Sequence, residues 1–194
     1  MRRRSILGGV FVLVLSAGAA MASTVIGLSV EDQARLSEHV VVGVVVGQRG
    51  VDGPQGLETA VTLRVTDVLK GSARRGEALT FHTRGGELDG EVSEAAGEAQ
   101  VRNGQQVLVF VESVDGRLYN LGLSMGAWEA HEDRSGRQVF TRALQDGLNV
   151  IGEEAVEHGP LSYEEMRSRV QYARRNPAFD NEMLRSLAVE GGRR

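Results

Sequence analysis

The apolar positions of this chain change period several times, and each change marks an element. Residues 23–28 read as an extended arm. Ser29 then stands as a helix N-cap, with Glu31 and Asp32 in the first turn, and predicts a two-turn helix over Val30 to Glu38. Val40 to Gly47, VVVGVVVG, is β-branched and continuously apolar, the mark of a strand buried on both faces. Gly47 to Gly56 reads as a glycine-rich connection. Val61, Leu63 and Val65 next alternate with Thr62, Arg64 and Thr66, until Asp67 breaks phase before Val68 and Leu69. Period two with a one-residue slip predicts a β-bulge, and Lys70-Gly71 a closing turn.

Further strands are predicted at Ala78 to Thr83 and Gln106 to Ser113. Asp115-Gly116 is the strongest hairpin signal and joins the latter to Arg117 to Leu123. A second hairpin pairs Ala127 to Glu132 with Gln138 to Thr141 around Asp133 to Gly136. Arg84 to Gln105 is long, polar and rich in Gly, Glu and Ala, and reads as either a functional or a mobile loop. The C-terminal part is helical in period. Ser162 and Glu165 form a capping box, Leu161 and Met166 a hydrophobic staple, and Met166, Val170 and Ala173 an apolar stripe. Asn176-Pro177 ends that helix, and Met183, Leu184 and Leu187 give the apolar face of another.

The expected fold is mainly β: a small OB-like antiparallel barrel, with a β-sandwich as the alternative, carrying a short N-terminal helix and C-terminal helices. The expected organisation is a leader over 1–22, a barrel domain over 23–150 and a helical extension over 151–194.

The leader is read from a different pattern. Arg2, Arg3 and Arg4 precede Ile6 to Ala20, ILGGVFVLVLSAGAA, and Ala20-Met21-Ala22 places small residues before Ser23. This is the layout of a secretory signal peptide cleaved after Ala22. The apolar run falls short of the roughly 20 residues that span a bilayer, so no stable membrane insertion is expected after cleavage. The expected location is periplasmic or secreted. Arg3-Arg4-Ser5-Ile6-Leu7 is loosely similar to a twin-arginine signal, while the VFVLVL run suits the general secretory route.

Composition narrows the function. The chain holds 22 basic and 26 acidic residues. The leader takes three of the basic ones and no acid, which leaves 19 against 26 and a net charge of −7. Such a balance argues against nucleic acid or anionic lipid as a partner. The absence of cysteine excludes a disulfide framework, thiolate zinc, iron–sulfur clusters, a cysteine nucleophile and lipoprotein anchoring. His39, His82, His131 and His158 show no metal-ligand spacing and are expected on the surface or at strand edges. Glu87, Asp89, Glu91, Glu94 and Glu98 read as a solvated acidic loop. No GxSxG, HExxH or phosphate cradle occurs, so neither a metal nor another cofactor is expected. Carboxylate pairs of the kind glycosidases use are assembled in space, so the sequence leaves them open. Trp128 and Tyr119 lie in the hairpin region and are candidates to line a pocket, although Trp128, the chain's one tryptophan, is expected as a core anchor.

The succession "HVVVGVVVG", "TAVTLRVTDVLKG", "ALTFHTRGG", "NGQQVLVFVESVDGRLYNLGL" resembles the netrin-like OB-fold group over roughly residues 23–125. Tissue inhibitors of metalloproteinases belong to that group. The same rhythm is similar to that of a set of uncharacterised exported bacterial proteins. In those inhibitors the first mature residue is a cysteine whose α-amino group and carbonyl chelate the target's zinc. The resemblance therefore implies Ser23, Thr24 and Val25 as binding residues, with serine replacing the cysteine and no disulfide to hold it. The leading expectation is a non-catalytic binding module whose partner is another exported protein. The alternatives are an inhibitor of a zinc metalloprotease acting through the mature N-terminus, and a carboxylate-based carbohydrate-active enzyme.

Overall fold

The computed structural model describes residues 23–142, 144–145, 148–179 and 184. The expected leader and most of the expected second C-terminal helix lie outside these. The chain is mainly β, with one large sheet and two helices. In order, it runs β1 (Ser23–Ile26), α1 (Val30–Leu36), β2 (His39–Gly53), β3 (Gly56–Lys70), β4 (Ala78–Arg84), β5 (Gly86–Leu88) and β6 (Glu91–Ser93). There follow β7 (Gln106–Val114), β8 (Arg117–Asn120), β9 (Ala127–Glu132), β10 (Gln138–Arg142), β11 (Leu148–Ile151), β12 (Leu161–Ser162) and α2 (Tyr163–Arg175).

The large sheet has the order β12-β10-β9-β7-β2-β3-β4-β8, and β8 also pairs with β7. The pairings thus run from β2 through β3, β4 and β8 back to β7, which itself pairs with β2. Beside β2, strand β7 serves two further neighbours: Val107 to Val109 pair with β9, and Val111 to Val114 with β8.

This forking explains the two faces of the valine run. Val41 and Val45 join Val61, Leu63, Val65, Phe81, Val107, Val109 and Val111 in an inner cluster. Val40 and Val42 join Leu108, Phe110, Trp128, Phe140, Met166 and Val170 in an outer cluster beneath the helices. The expected bulge is present. The β2–β3 register slips at three points, two of which skip Thr66 and Leu69 on β3 and the third Val46 on β2. The two slips on β3 turn Val68 toward the inner cluster and Leu69 into the outer one.

Two expectations are corrected. Residues 47–53 are not a loop but the second half of β2, paired residue by residue to β3 as far as Gly53–Gly56. Their glycines have a packing role: a Cβ at Gly50 would collide with the Glu87 carbonyl of β5. The segment 84–105 is also not wholly irregular, since β5 and β6 form a small antiparallel hairpin within it.

The helix termini follow their predicted chemistry. The Ser29 hydroxyl accepts from Asp32 N at 3.0 Å. In the capping box of α2, Ser162 Oγ accepts from Glu165 N at 3.2 Å and the Glu165 carboxylate accepts from Ser162 N at 2.9 Å. Asp115 and Gly116 have φ of 51° and 80°, the left-handed pair a tight hairpin demands. Helix α2 lies on α1, clamped by Arg169, which donates to both Glu31 oxygens at 2.7 Å and to Glu157 at 2.9 Å. No helix among the described residues is long and apolar enough to cross a membrane.

Candidate functional site

Strict alternation along β3 and β4 places Glu58, Ala60, His82 and Arg84 on one face, with Ala60 opposite His82 and Glu58 opposite Arg84. The other face carries Val61, Leu63 and Phe81 to the inner cluster. The register of β7 and β8 sets Glu112 opposite Tyr119. A cleft of about 470 Å³ opens over these residues. It is lined further by Pro54 and Gln55 between β2 and β3, by Asp115 at the β7–β8 turn, by Glu98 and by Asn120.

Polar contacts hold its walls. The Glu58 side chain is buried, with 3% of the residue exposed. Tyr119 Oη donates to Glu58 Oε1 at 2.9 Å, and Arg117 Nη1 to Glu58 Oε2 at 3.1 Å. Burial, and then this bond to Glu58, raises the Tyr119 pKa, so the phenol keeps its proton as a donor. The His82 ring lies 5.7 Å from that of Tyr119, and its Nδ1 is 3.2 Å from the Leu118 carbonyl. With the proton on Nδ1 donated to that carbonyl, a neutral His82 keeps Nε2 as an acceptor.

Glu98 corrects the expectation of a solvated acidic loop. It is 8% exposed and accepts from Arg84 N and Ala99 N, both at 3.1 Å. Burial raises its pKa despite those two donors. Burial likewise raises that of Glu112. Glu98 and Arg84 also line a second cleft of about 880 Å³, walled by the 84–105 segment with Gln48, Thr59 and Gln145. The two clefts therefore meet at one buried carboxylate and one guanidinium.

Ser23, Thr24 and Val25 line the first cleft. They do not project as a free arm. Strand β1 pairs in parallel with β11, Ser23 with Leu148, Thr24 with Asn149 and Val25 with Val150. Chelation of a target's metal by the Ser23 amine would require the first residue to stand clear of this ladder.

Of the four histidines, His39 opens β2 and is buried there, 7% exposed; His82 is half-buried at the cleft, and His131 and His158 are exposed. Trp128 is fully buried in the outer cluster, as an anchor should be. No group of three or more His, Asp or Glu among the described residues could hold a metal ion.

Sequence reasoning singled out Tyr119 as a pocket-lining residue, which it is, but passed over Glu58, His82, Glu98 and Glu112 as site residues. The signal available was the alternation in β3 and β4, which sets a carboxylate, an imidazole and a guanidinium on one face. That face reads as solvent-facing until β8 and β1 are placed beside it. No protein-family model matches the chain, and no curated protein matches it in sequence.

Proposed function

We propose that the chain is an exported, non-catalytic binding module that receives another exported protein at the carboxylate-lined cleft. One observation carries this reading. The N-terminal residues Ser23–Val25 and the 84–105 segment, distant in sequence, line two clefts that join at Arg84 and Glu98. Clefts with a few convergent polar groups are where ligands bind.

The circuit of pairings among β2, β3, β4, β8 and β7 supports an OB-like barrel. In that architecture ligands lie across the second and third strands, between the loop joining strands one and two and that joining four and five. The counterparts here are β3, β4, the Pro54-Gln55 connection and the Asp115 turn, all on the first cleft. The basic, apolar and small-residue succession of residues 1–22 supports export. The acidic balance opposes nucleic acid as the partner.

Two measurements test this. N-terminal sequencing of the protein recovered from outside the cytoplasm should begin at Ser23. Hydrogen exchange with and without envelope extract should show extract-dependent protection of Ser23–Ile26 and of 84–105. Unchanged exchange in both segments would sink the binding reading.

The gathering of Glu58, Glu98 and Glu112 at one cleft also favours the carboxylate-based enzyme as a second reading. It requires metal-independent turnover of a glycan that Glu98→Gln abolishes. Hydrolysis undiminished in that variant would exclude it.

A further inference from the structure

Asn103-Gly104 is the chain's one asparagine followed by glycine, and the pair stands exposed in the turn that leads into β7. Asparagine is a chemically labile residue. Its carboxamide carbon is an electrophile, and the next backbone nitrogen is the nucleophile within reach. Glycine has no Cβ to screen that nitrogen.

The fold holds the nitrogen back. Gly104 N donates to the Val45 carbonyl at 2.8 Å, and Val45 N to the Gln105 carbonyl at 2.9 Å, so the turn is stitched to β2 from both sides. Gln105 N donates to the Arg102 carbonyl at 3.0 Å, and Gly104 has a φ of 82° while Asn103 is not left-handed. That is a type II turn. Gln105 Oε1 also accepts from Arg102 N at 2.8 Å and ties the turn from its side chain. In this turn type the second residue has a ψ of about +120°, which faces the Gly104 nitrogen away from the Asn103 side chain. Ring closure requires that peptide to rotate, and the rotation takes the Gly104 N–H off Val45.

We propose that Asn103 is a modification site of this chain, deamidated through a cyclic imide that forms only when the 102–105 turn opens from β2. The Gly104 nitrogen bonds to Asn103 Cγ, the Cγ–Nδ2 bond breaks, and Nδ2 leaves as ammonia with the proton from Gly104. Water then opens the imide at either carbonyl and gives aspartate or isoaspartate. The co-reactant is water, and nothing is oxidised or reduced. Isoaspartate carries the main chain through Cβ and lengthens it, so the two bonds to Val45 cannot both re-form. The turn follows Val101 on the wall of the second cleft, where the Val101 carbonyl accepts from Gln48 Nε2 at 3.0 Å. A transient opening thus leaves a lasting change beside that cleft.

The test incubates the full-length protein with and without guanidinium chloride at one pH and temperature, and maps peptides that separate asparagine, aspartate and isoaspartate at 103. The folded protein should lose Asn103 about tenfold more slowly than the unfolded chain, as the hydrogen bonds of the turn must first be broken. Gln105→Ala should speed the folded reaction about fivefold, for one bond removed, and leave the unfolded rate unchanged. Hydrogen exchange at the Gly104 amide of the parent protein reads the same opening without a variant, and slow exchange is expected. Aspartate and isoaspartate should appear together. Equal rates in the folded and unfolded protein, or fast exchange at Gly104, would overturn the gate. An unchanged rate in folded Gln105→Ala would do the same. Aspartate without isoaspartate would mean direct hydrolysis and overturn the imide. An intact Asn103 in the unfolded chain would remove the site.

Discussion

Tyr163 and Asp67 show how one hydrogen bond sets a pH dependence. The Tyr163 hydroxyl donates to the Asp67 carboxylate, and this bond, with burial opposing it, holds Asp67 below its ordinary pKa of 3.8. A carboxylate with a lowered folded pKa stabilises the fold above its unfolded value. That contribution is lost as the pH falls through the folded one. Tyr163→Phe should therefore cost roughly 1–2 kcal/mol near neutral pH. The gap to the parent protein should close on acidification below about pH 4, read from urea midpoints. A gap constant with pH would contradict the assignment. Arg142 behaves in the opposite way. Its guanidinium lies 4.4 Å over the Trp128 ring, and its three nitrogens are buried without a hydrogen-bond partner. Burial pushes its pKa down to about 9. A desolvated cation–π contact contributes about 2 kcal/mol, less than the several kcal/mol needed to bury an ion without a partner. Arg142→Met should leave stability unchanged or raise it by about 1 kcal/mol in thermal melts. A clear loss would show that the stacking outweighs the desolvation.

Lys70, the chain's one lysine, closes the C-terminus of α1. Its Nζ donates to the carbonyls of Ala34 at 2.7 Å and of Ser37. A cation there meets both the orphan carbonyls and the negative end of the helix dipole. Lys70→Met should cost about 1–2 kcal/mol in urea unfolding. Ser162→Ala removes the capping box of α2 and should cost about 1 kcal/mol. These elements were legible beforehand because caps, turns and periodicity are decided within a few residues. Asp115-Gly116 forms its hairpin wherever the rest of the chain goes. The second half of β2 was not legible. Gln48, Arg49 and Asp52 with three glycines carry no buried face, and the strand exists because β3 is long enough to pair with it.

The whole molecule is held by two clusters that share β2 and β7 as a wall. The outer one is closed from beyond residue 150 by Val156, Leu161, Met166, Val170 and Ala173. A chain ending at residue 150 would expose that apolar face and lose the last pair of the β1–β11 ladder, Ile26 with Ile151. Such a chain should unfold without a sharp transition and bind a hydrophobic dye, whereas the full protein unfolds cooperatively. A cooperative transition in the shortened chain would show that the inner cluster is sufficient. Local chemistry alone settled α1 and α2, their caps, most strands, the tight hairpin and the bulge that transfers β3 between clusters. It also settled the absence of any thiol chemistry. It did not settle the cleft. Glu58, His82, Glu98, Glu112 and Tyr119 come from separate strands and a loop, and Ser23 reaches them through a parallel pairing across more than a hundred residues. An isolated strand exposes alternate side chains to whichever surface is brought against it. Whether a polar face meets solvent, a helix or another polar face is decided only when the sheet closes around it.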